Sequence, residues 1–305
     1  VEYEIFSRSG QIVGSHETIE SSLGGSMSIR KALLVICSFF SLSFSASEGI
    51  SYYSYTTDVP QSVHVMVVDP SKRPILPAKA LDKSVGREDV LSLATRKGAL
   101  AAVNGGFFAI GKYDGTPSGI LKINNVWYGL PTKPRGALGW SNGGKKTVFD
   151  RVLTKQVGIE FSVVSQTGAT TSDQWDKVEH IVGGTPLLVR DGEVVDDFSP
   201  EQTLYSFLWM RHARTAVGVL PNGHWVFVIV DGKQPYFSKG MTIDELAHFM
   251  QELGCVYALN LDGGGSTTFV YKNEIINRPY GDGDNNESGK PTLRAVSDAI
   301  LILDN

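Results

Sequence analysis

"ALNLDGGGSTTFVY" (258–271) sets three consecutive glycines between an aspartate and a Ser-Thr-Thr run, with an apolar stretch on either side. Glycine has no side chain to pack and loses much backbone entropy on ordering, so Gly263-Gly264-Gly265 would weaken a strand or a helix. The segment therefore reads as strand, turn, strand. Its turn needs unusual backbone angles or close approach of the main chain to another group.

Outward from this turn the chain is rich in short strand signals, bounded by Gly, Asn, Asp or Pro. They are "SVHVMVVD" (62–69), "ALAAVN" (99–104), "HIVGGTPLLV" (180–189), "TAVGVL" (215–220), "HWVFVIVD" (224–231), "VYALNL" (256–261), "TTFVY" (267–271) and "AVSDAILIL" (295–303). Asn222-Gly223 between two of them suits the positive backbone angles of a tight hairpin turn. Two helices stand out. In "MTIDELAHFMQELG" (241–254) Thr242 and Glu245 form a capping box, apolar residues recur at helical spacing, and Gly254 ends the run. "REDVLSLATRKG" (87–98) places acids first, bases last and a glycine at the end, matching the helix dipole.

Each helix leads into a glycine, a short strand and a polar residue followed by glycines: "GALAAVNGGFF" (98–108) and "GCVYALNLDGGGSTTF" (254–269). Each strand thus delivers a polar side chain, Asn104 or Asp262, to a sheet end. There the glycine turn is expected to expose backbone N–H groups, as concave anion sites do.

The 305 residues are 42% hydrophobic and 20% charged, with a formal net charge of −4, an ordinary globular balance with no basic stripe for nucleic acid. Residues 1–26 read as an upstream extension without fold content. Residues 27–47 carry Arg30-Lys31, an apolar run from Ala32 to about Phe44 and then small residues, the pattern of a secretory signal peptide. That run is too short and too serine-rich for a membrane span, which wants ~20 apolar residues. One domain, 48–305, is expected to follow, with Cys255 as a small buried hydrophobe.

Several motifs fail. "GGGST" has no P-loop lysine and is neither a dinucleotide fingerprint nor a nucleophile elbow. "DGDNNE" (282–287) starts like a calcium loop but has Glu287 where glycine belongs, and it reads as a solvated loop. The six histidines lack metal-ligand spacing. What remains is Asn104, Arg214, Asp231, Asp262 and the glycine turns. Arg214 is a surface charge or a two-pronged clamp on phosphate or carboxylate. Asp231 starts a turn or acts as a second carboxylate, and His212 is structural or carries a proton.

At these residues the sequence resembles the phosphodiester glycosidase family. The matches run in order: "NGGFF" (104–108), "GGTPLLVRDGE" (183–193), "RTAVG" (214–218), "VDG" (230–232), the capped helix, "NLDGGGSTT" (260–268), "NRP" (277–279) and "RAV" (294–296). The resemblance implies an exported hydrolase, secreted or periplasmic, that frees a sugar from a sugar-1-phosphodiester. No cofactor, nucleic acid or membrane span enters that reading. Asp262 is the first choice for the carboxylate that attacks, supports or hydrates an oxocarbenium-like centre, with Asp231 second and His212 as proton carrier. Substrate contacts are expected from Asn104, Gly105, Gly106, Arg214, Gly263, Gly264, Gly265, Ser266 and Thr267. The alternatives are a non-catalytic envelope protein that binds anionic glycopolymers, and a metal-assisted phosphodiesterase with Asp262 and Asp231 as ligands. The expected fold is α+β: a large mixed, mostly antiparallel sheet system with a few packed helices.

Overall fold

The computed structural model describes residues 39–57, 60–131, 133–157, 160–281 and 293–304. The expectations for 1–26, for the first part of the leader (27–38) and for the 282–287 loop lie outside the described residues.

The chain opens with β1 (Phe39–Ser47), β2 (Ile50–Thr57), β3 (Gln61–Val68) and β4 (Ile75–Lys79), then α1 (Val90–Lys97) and β5 (Ala99–Asn104). A run of strands follows: β6 (Leu121–Ile123), β7 (Val126–Gly129), β8 (Arg135–Ser141), β9 (Lys146–Val157) and β10 (Glu160–Ser165). Next come α2 (Ser172–Asp176), β11 (His180–Gly184), β12 (Leu187–Arg190), β13 (Glu193–Val194) and α3 (Tyr205–Trp209). The hairpin β14 (Arg214–Val219) and β15 (Trp225–Val230) leads to α4 (Ile243–Glu252) and β16 (Tyr257–Asn260). The chain ends with β17 (Phe269–Tyr271), β18 (Glu274–Ile275) and β19 (Asp298–Leu303).

These strands form three sheets, in the orders β1-β2-β3-β15-β14-β16-β12-β13, β10-β9-β8-β11-β6-β7 and β18-β17-β5-β19-β4. Every ladder within them is antiparallel. The fold is thus mostly β with few helices, and the mixed sheet expected from the sequence is an antiparallel one among the described strands. Residues 39–47, from the later part of the expected leader, form β1 along the outer side of β2.

Both helices read from the sequence are present with their caps. Asp89 accepts from the Ser92 N–H at the start of α1, and Gly98 ends it at φ 64°. Thr242 and Glu245 complete a capping box on α4. One face of α1 buries Val90, Leu93 and Ala94 against Ala102, Val270 and Leu301 of the sheet below. Burying a leucine of this kind stabilises by roughly 1.5–3 kcal/mol, so Leu93→Ala would loosen the helix from its sheet. The main core lies where all three sheets meet. Met66 and Phe227 come from one sheet, Leu138 and Trp140 from the second, and Val103, Phe269 and Ile300 from the third.

Topology then places the glycine turns. β5 runs antiparallel to both β17 and β19, so its C-terminal Asn104 meets the first residues of each; Asn104 stands opposite Ala299 and Val103 opposite Phe269. In the neighbouring sheet β16 ends beside the start of β14, with Asn260 opposite Ala216. The ends of β5 and β16 therefore face the beginnings of β14, β17 and β19.

Candidate active site

Asn104 is fully buried and ties this junction together. Its Oδ1 accepts from Thr215 Oγ1 (2.7 Å) and the Thr268 N–H (3.3 Å), while its Nδ2 donates to the Asp262 carbonyl (2.7 Å). With both ends of its amide bound to protein, Asn104 holds the two turns in register instead of presenting its amide to substrate. Thr267 and Ser266 are buried too. The Thr267 carbonyl accepts from Asn277 Nδ2 at 3.1 Å.

Four N–H groups of the glycine turns are bound within the protein. The N–H of Gly105 goes to the Asp298 carbonyl and that of Gly106 to Asp298 Oδ2 (3.0 Å). The N–H of Gly263 is taken by Asp262 Oδ1 (2.8 Å) and that of Gly264 by the Ala213 carbonyl (2.8 Å). The glycines serve close packing. A Cβ on Gly105 would collide with Asp298 Oδ2, and one on Gly265 with the Gly281 carbonyl and, at 2.5 Å, the Arg294 guanidinium. Only Gly264 of the triplet needs a positive angle, φ 60°, and its missing Cβ faces open space.

Asp298 escaped the sequence reading. It begins β19, flanks the Gly105-Gly106 turn opposite Asp262, and is 1% exposed. Burial pushes its carboxyl up to about 6 against the pull of the Gly106 N–H and of Lys79, and the charge of Asp262 pushes the same way as burial. Asp262 sits among protein atoms but keeps part of its surface open. Burial raises it to about 6 as well, although Ser266, the Gly263 N–H and the charge of Arg294 favour ionisation. Both carboxyls are raised to about 6, and that of Asp298 also feels the charge of Asp262, the kind of perturbation that marks candidate functional acids. The signal for Asp298 was present as one acid at the head of the apolar run "AILIL".

Two cations serve this pair. Lys79 lies directly across the β4–β19 ladder from Asp298, is 3% exposed, and donates to the carbonyls of Ser297 (2.9 Å), Gly115 (3.2 Å) and Gly86 (3.4 Å). Arg294 rests on the glycine turn and reaches Ser266 Oγ at 3.5 Å.

The other sequence candidates occupy different positions. Arg214 is not a surface charge, because it is fully buried. Its Nη2 donates to the carbonyls of Phe207 (2.7 Å) and Met210 (2.9 Å) and its Nε to Met241 (2.9 Å), with the guanidinium 4.5 Å from the Phe207 ring centroid. It thereby caps the C-terminal end of α3, where a cation suits the orphan carbonyls. Nη1 alone has no partner among the described residues. Desolvation lowers its pKa to about 10. His212 stacks on Phe207, and burial followed by the charges of Arg214 and Lys233 depresses it to about 4. It is a neutral imidazole at neutral pH.

Asp231 stands behind the site. Its Oδ1 accepts from Asn277 Nδ2 (2.9 Å) and the Arg278 N–H (2.9 Å), its Oδ2 from Ser62 Oγ (2.9 Å) and His64 Nε2 (3.3 Å). Donors surround both oxygens, as suits a structural anchor. Among the described residues no group of three or more His, Cys, Asp or Glu is arranged to hold a metal ion.

A family model described as phosphodiester glycosidase matches residues 97–303. The chain belongs to that family. It is 26% identical over 241 residues to the SPbeta prophage-derived uncharacterized protein YomE of Bacillus subtilis, covering 76% of this chain and 34% of that one. It is 27% identical over 206 residues to N-acetylglucosamine-1-phosphodiester alpha-N-acetylglucosaminidase of Mus musculus, covering 63% and 36%. The chain thus spans about a third of the length of these curated relatives. The fold is shared with the catalytic domain of the zebrafish N-acetylglucosamine-1-phosphodiester alpha-N-acetylglucosaminidase (TM-score 0.60, 20% identity, 87% of this chain and 82% of that one). A hypothetical protein from Synechocystis shares it too (TM-score 0.68, 18% identity, 86% and 63%).

Proposed function

We propose that the protein is an exported hydrolase that releases a sugar from a sugar-1-phosphodiester, with Asp262 and Asp298 as its working carboxylates. The paired, sparsely hydrogen-bonded carboxyls on either side of the Gly105-Gly106 turn carry this reading. Asp262, the partly open member, acts at the anomeric carbon, as nucleophile or by drawing a proton from water. Asp298, sealed against Gly106, feels the charge of Asp262 and, as an ion, raises the basicity of its neighbour. The phosphate is already a good leaving group, so stabilising its charge matters more than protonating it. Arg294, whose charge Asp262 feels, is the cation assigned to that purpose. Asp231, the second choice on sequence, is replaced by Asp298 in this scheme. The leader-like segment 27–47 supports export, and among the described residues no helix is long and apolar enough to cross a membrane.

The test is release of free sugar from an α-sugar-1-phosphate methyl diester by the purified full chain, beside Asp262→Asn. The wild type should turn over and the variant should fold but lose most activity. A wild type that releases no sugar from any such diester would defeat the reading.

A further inference from the structure

Beside Asp298 lies a second feature. A cavity of about 260 Å³ is lined by Phe107, Phe108, Ser118, Gly119, Arg135 and residues 183–185. Phe107, Gly119 and Gly183 also line a narrower crevice onto which Gly106 and Asp298 open. These shared walls place the cavity next to Asp298.

Its charge is one-sided. Arg135 is the sole ionisable side chain in the lining, with no carboxylate to oppose it. Among the described residues its hydrogen bond runs from Nη1 to the neighbouring Pro134 carbonyl (3.0 Å), which leaves most of its five donors for another acceptor. The acid whose charge it feels, Glu201, is already committed. Glu201 accepts from the N–H groups of Gly136 (3.0 Å) and Leu187 (2.9 Å) and from Arg151 Nε (3.3 Å). Thr185 is likewise occupied by Thr203, 2.8 Å away. A neutral sugar, which needs both donors and acceptors, finds few acceptors here. An anion finds a cation with free donors. The walls are also fixed in place, since Phe107 packs edge-on against Phe207, the ring that carries Arg214.

We propose that this cavity, walled by Phe107 and Phe108 and headed by Arg135, binds the phosphate half of the substrate. The inference deepens the proposed function and names Arg135 as the residue that distinguishes a phosphodiester from an uncharged glycoside. The cavity holds a phosphate and the first carbons of its alcohol, so longer alcohols extend into solvent.

The experiment compares wild type, Arg135→Gln, Arg135→Lys and Arg294→Gln, each with its fold checked by circular dichroism. Binding of methyl phosphate is measured by calorimetry, and kcat/KM is measured on the α-sugar-1-phosphate methyl diester and on a p-nitrophenyl α-glycoside of the same sugar. Loss of two charge-assisted hydrogen bonds predicts that Arg135→Gln weakens methyl phosphate binding about 10-fold or more, with partial recovery in Arg135→Lys. Its kcat/KM should fall by a similar factor on the diester and stay near wild type on the neutral glycoside. Unchanged methyl phosphate binding in Arg135→Gln, transfer of that loss to Arg294→Gln alone, or equal losses on both substrates would overturn the assignment. A wild type that binds no methyl phosphate would do the same. If the wild type cleaves neither substrate, the hydrolase reading falls while the binding arm still decides the subsite.

Discussion

Asp150 and Asp298 are both aspartates in strands with about 1% exposure or less, yet the protein treats them in opposite ways. Asp150, in β9, is surrounded by donors: the Arg151 N–H at 2.7 Å, Ser165 Oγ at 2.5 Å, Thr167 Oγ1 at 2.6 Å and Thr170 Oγ1 at 2.7 Å. Asp231 is satisfied just as fully by Ser62, His64, Asn277 and Arg278. At the glycine turns, Asp298 receives the Gly106 N–H, with smaller help from Lys79 and Ser297, and faces the charge of Asp262. A buried carboxylate with four donors has its hydration replaced and is a rivet. One with fewer donors and a like charge nearby is destabilised as an ion, a cost that folding alone does not require. Donor count therefore separates the structural acids of this fold from the pair assigned to chemistry, where sequence position alone had favoured Asp231.

The largest expected effect breaks or confirms that separation. Asp262→Asn and Asp298→Asn should each lower turnover by about 100-fold or more while leaving the fold intact, because each loses a charge that acts in the reaction. Asp231→Asn should behave in reverse. Its new amide would confront Asn277 Nδ2 and the Arg278 N–H, which costs about 3 kcal/mol and lowers Tm by roughly 10 °C. Turnover per folded molecule should stay within a few-fold of wild type. Thermal melts and sugar release on the same preparations read both effects. A stable but inactive Asp231→Asn would return Asp231 to the chemistry and end the donor-count argument.

A second, smaller contrast lies inside the glycine triplet. Gly265→Ala forces a methyl onto the Gly281 carbonyl and the Arg294 guanidinium. It should cost about 2–4 kcal/mol and cut activity with it, since Arg294 must move. Gly264→Ala meets open space and must only hold φ 60°, for about 1 kcal/mol. Gly264→Val strains the backbone further but clashes with nothing in the protein, so any full loss of activity there would come from contact with substrate. Urea unfolding of the three variants ranks them, and equal destabilisation by both alanines would refute the packing account of the turn.

These contrasts also mark how much was legible in the sequence. The turns, the two capped helices and the hairpin at Asn222-Gly223 were readable because glycine, capping residues and strand runs act locally. Even there Gly223 carries the positive angle, φ 83°, and Asn222 does not. The sheet of β6 to β11 was mostly invisible. β8 contains Gly136 and Gly139, admitted because Leu259 and Trp175 press against their backbones. β9 carries Asp150 and Arg151 inside the protein, where an alternating pattern would have polar groups outside. Arg214 and Asp231 were legible as polar residues at strand ends, but not as groups whose partners come from far along the chain. Asp298 and Arg135 needed tertiary contacts before they could be distinguished from ordinary strand residues.

The smallest expected effect tests the repulsion itself. Asp262 and Asp298 hold their protons up to about 6 in the folded protein, above the ordinary aspartate value, so the folded state binds more protons than the unfolded one between about pH 4 and 6. Stability contributed by these groups is therefore greatest below pH 4, falls as pH rises towards 6, and is level above that. Glu88 works in the opposite direction. Hydrogen bonding to Arg96 outweighs its burial and holds it below the usual glutamate range, so its contribution is present above about pH 4.5 and lost as pH falls further. The Tm of Asp262→Asn should accordingly gain on wild type from pH 4 to 7, whereas that of Glu88→Gln should lose ground from pH 3 to 5. Carbon-13 titration of the Asp298 carboxyl sharpens the point. Removing the Asp262 charge should move its midpoint downward from about 6, because that charge adds to the effect of burial. An unmoved midpoint would mean that the two acids do not sense each other, and their pairing could then play no part in the reaction.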